Sequence, residues 1–319
     1  MKKTILAAVI TTLFAATAHS ATIYEQDGVQ VDIYGDIEIN FQKDIKKKAD
    51  NGVYINVDDA DFGFKLGYDL GNGLMVGGVL EISAEGDTVN LGDSYVGVMS
   101  DTYGTLTAGK QATIFDDAGI GADYQFGFGS FYDQKDSGRQ VIKYKLDTGM
   151  FYGGIAYLMS DTTGSADDVS VVDGKIGAYF AGFDLTAFFG VGDGFAKVAG
   201  VTLKDSSYST TNMNFEARYN FSDFQIAAAY ATSEQDAGTV SKITTDSIGL
   251  AATYSLDKAQ FAVGYAMFSN DVSGSDDVNN YYVNASYAFT SNVNTYVEIG
   301  GSDADNTDVG YALGMQVKF

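Results

Sequence analysis

From Val29 the chain reads VQVDIYGDIEINFQ. Val29, Val31, Ile33, Ile37, Ile39 and Phe41 share one parity, with Gly35 among them. Gln30, Asp32, Asp36, Glu38, Asn40 and Gln42 take the other, with Tyr34. A period of two over so many residues predicts a strand with one apolar and one wet face. The pattern returns at Phe62–Leu70, Leu74–Ile82, Phe215–Phe221, Ile248–Leu256, Phe261–Met267, Tyr281–Phe289 and Val309–Phe319. Connections alternate in length. Short ones carry Gly, Asn, Asp or Ser: Gly71–Gly73, Asp101–Gly104, Asp147–Gly149, Ala181–Gly182, Ser222–Asp223, Asp257–Ala259 and Ser291–Asn292. Long ones fall at Lys43–Asn51, Glu85–Asp93, Ala112–Gly138, Asp161–Asp173, Gly192–Thr211, Glu234–Thr245, Ser269–Asn279 and Ser302–Asp308. Seven short and eight long connections separate sixteen strands, the first starting near residue 29 and the last reaching Phe319.

An even number of antiparallel strands, with short turns at one end and long loops at the other, predicts an all-β transmembrane barrel. In hydrocarbon every backbone group needs an internal partner, so a spanning sheet must close on itself. The terminal strand is then part of the wall, and its alternation runs to the last residue. A large soluble β-sandwich would also alternate, but it would bury its apolar faces between two layers. Here the second parity is rich in Asp, Glu, Asn, Lys and Gly, as a watery lumen requires.

Composition sharpens this picture. The 319 residues include no Pro, Cys or Trp, but 22 Tyr and 21 Phe. At ordinary usage such a chain would hold on the order of sixteen prolines. Proline is excluded from central strands, so its absence fits a chain that is mostly ladder. Residues 1–20 read as a secretory signal peptide, with Lys2 and Lys3, an apolar run and Ala18-His19-Ser20 before a cut at Ala21. Residues 21–319 form the expected barrel domain. Cleavage removes two lysines and no acid, which takes the formal charge from −23 to −25, and it removes the only histidine. Nucleic acid is excluded as a partner, because phosphate binding needs basic clusters. An enzyme is disfavoured, since acid–base and nucleophilic sites in barrels usually lean on histidine. No cofactor or metal site is expected. Asp271–Asp277 and Ser302–Asp308 lack the spacing of a calcium loop and read as solvated loop surface. An adhesin or receptor role of the loops stays open.

Two stretches carry a family likeness. ATIYEQDGVQVDIYGDIE from Ala21 and DTYGTLTAGKQ from Asp101 resemble general bacterial porins of the Gram-negative outer membrane, as does a terminal phenylalanine on a strand. The resemblance implies a homotrimer of 16-stranded barrels whose third loop folds into the lumen. It also implies an outer-membrane location, contact with lipid and lipopolysaccharide, and insertion by the barrel assembly machinery. Gly314, Val317 and Phe319 fit the spacing of the assembly signal, while Ala312 departs from it. The third loop corresponds to Ala112–Gly138, with Asp116, Asp117, Asp123, Asp133 and Asp136 and the aromatics Tyr124, Phe126, Phe128, Phe131 and Tyr132. It lacks the family's Pro-Glu-Phe-Gly-Gly motif, reading QFGFGSF instead.

Candidate pore residues follow. Arg139, Lys143 and Lys145 share one parity and are expected to face the lumen, since a basic group facing lipid at mid-depth costs about 2–4 kcal/mol. Lys110 and Arg139 fall where the family carries arginines, and Lys65 lies on a polar parity. Asp36 and Asp61 sit where the family often carries basic residues. The acidic loop is expected to stand across the lumen from the basic wall, giving a transverse field that sorts ions. The expected function is passive diffusion of small hydrophilic solutes and ions with a cation preference. The alternative is a substrate-specific channel, such as one for an oligosaccharide.

Overall fold

The computed structural model describes residues 20–46, 52–84, 88–159, 169–198, 201–238 and 242–319. The expected signal peptide lies outside them, apart from Ser20. The strands are β1 (Ala21–Gln26), β2 (Val29–Lys43), β3 (Tyr54–Gly71), β4 (Leu74–Ser83), β5 (Asn90–Ser100), β6 (Gly104–Ala112), β7 (Ser137–Asp147), β8 (Phe151–Leu158) and β9 (Ser170–Phe180). They continue as β10 (Phe183–Val198), β11 (Val201–Phe221), β12 (Phe224–Asp236), β13 (Ile243–Leu256), β14 (Ala259–Asn270), β15 (Val278–Thr290), β16 (Val293–Ser302) and β17 (Gly310–Lys318).

From β2 to β17 each strand pairs antiparallel with the next, and β17 pairs back onto β2 from Tyr311↔Lys43 to Lys318↔Asp36. Sixteen strands therefore close a barrel. Closure removes sheet edges, which hydrocarbon does not tolerate. The faces are inverted relative to a soluble protein. Ile37 is 51% exposed and Leu250 53%, while Asn40 is 1% and Glu298 0% exposed. The apolar parity faces out and the polar parity faces in.

Two features depart from expectation. β1 is a seventeenth strand, pairing Ala21↔Ile33 to Gln26↔Val29 on the same edge of β2 that β17 occupies higher up. The two segments lie end to end. Six residues are too few for alternation to announce a strand, and all six are exposed. The expected loop Gly192–Thr211 is mostly ladder: β10 and β11 pair with each other as far as Val198↔Val201. Neighbouring ladders stop at Asp193↔Ser170 and Ser209↔Asp236, so the hairpin runs beyond the wall. Its Gly- and Ser-rich sequence gave no two-faced pattern because no second strand flanks it.

The short turns follow from local chemistry. Asn72-Gly73 has φ of 56° and 74°, and Ala181-Gly182 has 50° and 85°. Two successive left-handed residues match the strand twist, and glycine adopts that conformation without strain. Inside the barrel, Tyr34, Tyr152, Tyr282 and Tyr296 lie flat over their cross-strand glycines Gly63, Gly177, Gly264 and Gly314. A Cβ at any of these glycines would collide with the ring.

Candidate pore lining and the third loop

The segment between β6 and β7 is held by side chains of the inward parity. Its neck closes where Thr113 N donates to Asp136 O at 2.6 Å. Asp173 on β9, fully buried, accepts Thr113 Oγ1 at 2.5 Å, Ile114 N at 2.9 Å and Gln134 Nε2 at 2.9 Å. Glu216 on β11 accepts Gly119 N at 2.7 Å. Tyr282 Oη on β15 accepts Ala122 N at 2.8 Å. Glu298 on β16 accepts three successive amides, Tyr124, Gln125 and Phe126, each at 2.7 Å. Bonds to a carboxylate are about twice as strong as neutral ones, and burial raises the cost of losing them. At the far end Gln125 Nε2 reaches Asp58 Oδ2 on β3 at 2.6 Å. On the return, Asn280 donates to Phe128 O, and Asp133 N donates to Asn212. The loop is thus a strap along the inner face from β9 round to β3.

Packing follows the same arc. Ile120, Phe128 and Phe131 seat against Ala227, Ala229, Ala231, Ala251, Ala262 and Ala266. Phe126 packs with Tyr296 and Ala312, over Gly300 and Gly310. Ile114 and Phe115 pack with Val141, Leu158, Val171 and Phe188. Small inward residues on β12–β14 leave the depth that the aromatic rings fill. Each buried aromatic contributes about 1.5–3 kcal/mol. The strapped arc is two layers thick, and β4–β6, between the strap's contacts at Asp58 on β3 and Val141 on β7, remain as the single-layered side.

The predicted charges sort accordingly. Asp117 does not stand across water from the basic wall: it contacts Lys145 Nζ at 3.0 Å and Lys175 Nζ at 2.7 Å. Burial would raise its carboxyl, but the two ammonium groups outweigh this and hold it below its usual range. Asp116 beside it is pushed up, first by burial and then by Asp136 and Asp117. Burial also raises Asp123. Asp133 turns to the wall, where Gln235 Nε2 donates to it at 2.8 Å. At Asp117 direct contact with Lys145 and Lys175 replaces the expected separation of loop acid and wall base, because this part of the loop lies on the wall.

Lys143 donates to Ala112 O at 2.7 Å at the root of the strap. Lys65 is inward but only 4% exposed, with its Nζ 4.8 Å from the Tyr34 ring centroid. It is covered by the wall rather than open to the water path. Lys110 sits at a bulge where the β6–β7 register jumps from Gly109↔Val141 to Gln111↔Gly138, and its Nζ donates to Leu91 O. Arg139 lies opposite that bulge. Asp36 and Asp61 are direct cross-strand partners. With Asp59 they form the acidic trio that could present carboxylate oxygens to one cation, all within 4.8 Å among the described residues. Gly314 lies under Tyr296, while Val317 and Phe319 face outward.

Sequence reasoning assigned no role to Asp173, Glu216 and Glu298, or to the cations Lys175 and Arg218, the latter paired with Glu216 at 2.8 Å. Their signal was present as charged residues on the inward parity of otherwise apolar strands. It also missed Asp58 and Asp59, which a bulge between Glu38↔Asp59 and Ile39↔Val57 brings together.

Comparison with known proteins agrees with this geometry. Residues 6–307 match the family described as Gram-negative porin. Porin-like protein H of Photobacterium profundum is 33% identical over the full length of both chains. The monosaccharide porin of a Halomonas species is 27% identical, covering 96% of this chain and 82% of that one. The solved structure of a loop L8 deletion mutant of OmpT, an outer membrane protein of Vibrio cholerae, superposes with a TM-score of 0.78 at 20% identity, covering 92% of this chain and all of that one. With a closed wall, an apolar exterior, a polar interior and these relatives, the chain belongs to the Gram-negative porin family of the outer membrane.

Proposed function

We propose that this outer-membrane channel passes small hydrophilic solutes and ions by passive general diffusion, with a preference for cations. The observation that carries the reading is the division of the lumen: one arc is filled by the strap, and the other is lined by charged groups. Carboxylates on low-dielectric walls concentrate cations. Asp36, Asp58, Asp59 and Asp61 gather on the inward side of β2 and β3. We assign no catalytic role, because the inward carboxylates serve as anchors or charged lining and the described residues from Ala21 on contain no histidine. A homotrimer in contact with lipid and lipopolysaccharide, inserted through a signal at Gly314, Val317 and Phe319, completes the proposal.

The Halomonas relative keeps a sugar-specific channel in view. An oligosaccharide track needs exposed aromatic faces along the lumen. Tyr34 and Tyr296 are buried over glycines, Tyr124 is stacked on Tyr296 at 3.9 Å, and Phe126 and Phe128 pack from the strap against the wall. This favours general diffusion. Conductance in planar bilayers with size-graded sugars tests it: conductance falls smoothly with solute mass, whereas saturable block by one sugar would establish the specific channel. The reversal potential in a salt gradient reads the ion preference, and an anion preference would overturn that part.

A further inference from the structure

The chain leaving β2 and the chain entering β17 are clasped together above the wall. Lys43 Nζ meets Asp308 Oδ2 at 3.1 Å and donates to Val309 O at 3.3 Å. Asp308 N donates to Ile45 O at 2.8 Å, and Lys46 bridges to Thr307 in antiparallel register. The first and the last long connections are thus joined where each meets the barrel. Ile45 ties this clasp to the strap. Its side chain is partly buried against the cluster of Phe126, Tyr296 and Ala312. Ile45 and Phe126 meet over Gly310, where a Cβ would lie 2.9 Å from Ile45 Cγ1 and 2.9 Å from Phe126 Cε1. Phe126 N is in turn held by Glu298 at 2.7 Å. The ionic contact is the weak member of this chain of contacts. The Asp308 side chain is 47% exposed. An ion pair so open to water contributes little, and dissolved salt screens it further.

We propose that the Lys43–Asp308 clasp is a salt-sensitive latch on the tip of the strap. Closed, it holds the chain after β2 against the chain before β17 and seats Ile45 on Phe126. Open, it releases Ile45, and the strap tip loses one of its packing partners and fluctuates in the lumen. The two arrangements differ by no more than a surface ion pair, so ionic strength is enough to shift their populations. The inference rests on the channel reading of the same lumen and adds a control to it.

The test is single-channel recording of the porin in planar bilayers at about 0.1 M and about 1 M potassium chloride, between which the screening length falls from about 10 Å to about 3 Å. The quantity read is the fraction of time the current spends off its main level, which does not scale with bulk conductivity. In the wild type this fraction is expected to rise about threefold with salt, the size of effect that an exposed ion pair carries. Lys43→Gln and Asp308→Asn each show the raised fraction already at low salt and respond to salt no further, and the double variant matches either one. Lys46→Cys/Thr307→Cys supplies a lock, since cross-strand partners lie within disulfide reach and the chain has no other cysteine. Oxidised, it keeps the low-salt fraction at both concentrations, and reductant restores the response. A wild-type fraction unmoved by salt, a salt response that survives Lys43→Gln, or single effects that add in the double variant overturns the latch. An unchanged response in Ile45→Ala overturns the route through Phe126. Absence of conductance steps from the folded barrel would instead overturn the channel reading, so the failures are separable.

Discussion

The Glu298 carboxylate accepts the backbone N–H of Phe126 at 2.7 Å while also holding the amides of Tyr124 and Gln125. One inward side chain of β16 thus fixes the tip of a segment that begins at β6. Replacement by alanine orphans three donors, at about 1–3 kcal/mol each where they stay buried. Glu298→Ala is expected to raise single-channel conductance and its flicker, with the barrel still showing heat-modifiable migration. Glu298→Gln keeps one accepting oxygen and gives the smaller change. Conductance indistinguishable from wild type in both variants would show that the tip is held by packing alone.

The two neighbouring acids of the strap are shifted in opposite directions, which gives ion selectivity a pH signature. Asp116 is raised by burial and by Asp136 and Asp117, so it loses its charge first as pH falls from neutral. Cation preference should begin to drop above the ordinary carboxylate range, and Asp116→Asn should reduce that early part of the titration, leaving the share of Asp123, which burial also raises. Asp117 is held down by Lys145 and Lys175 despite its burial. Its contribution to loop docking is present above the ordinary carboxylate pKa and disappears as pH falls through the lowered value. Reversal potential and conductance noise recorded against pH separate the two steps.

Asp36 and Asp61 are like charges in direct cross-strand register. Such pairs are destabilising by about 0.2–1 kcal/mol. Asp61→Asn is therefore expected to raise stability by that order in urea unfolding from vesicles while shifting the reversal potential toward anions. A stabilised variant with unchanged selectivity would place these acids outside the ion path.

Leu250 lies mid-strand on the outer face of β13. Leu250→Lys should cost about 2–4 kcal/mol in the same folding assay, as a charge facing hydrocarbon does. A lysine at the inward Ala251 position, under the strap, should instead disturb the loop and show up as altered conductance. An equal and small cost at both sites would contradict the assignment of faces.

Alternation, together with the spacing of short and long connections, placed the sixteen wall strands, because a membrane imposes one apolar face on each. Turn residues such as Asn72-Gly73 set where strands reverse. What alternation does not encode is which inward residue meets which loop atom. Asp173 closes the expected loop Asp161–Asp173 and Glu298 drew no role, and only the path of the strap makes them anchors. The same path explains why Asp117 contacts Lys145 and Lys175 instead of facing them. β1 was illegible because it has no apolar face of its own to sort. Lys65 shows a third limit: parity put it on the inner side correctly, but depth beneath Tyr34 is a matter of packing.

The strap has a mechanical consequence. A hollow cylinder of single thickness resists flattening only through its strand ladders. Here a second ply, riveted at Asp173, Glu216 and Glu298, stiffens one arc and leaves β4–β6 compliant. Lateral pressure from the bilayer will therefore ovalise the cross-section by bending the thin arc, and that arc is the bank along which the solute travels.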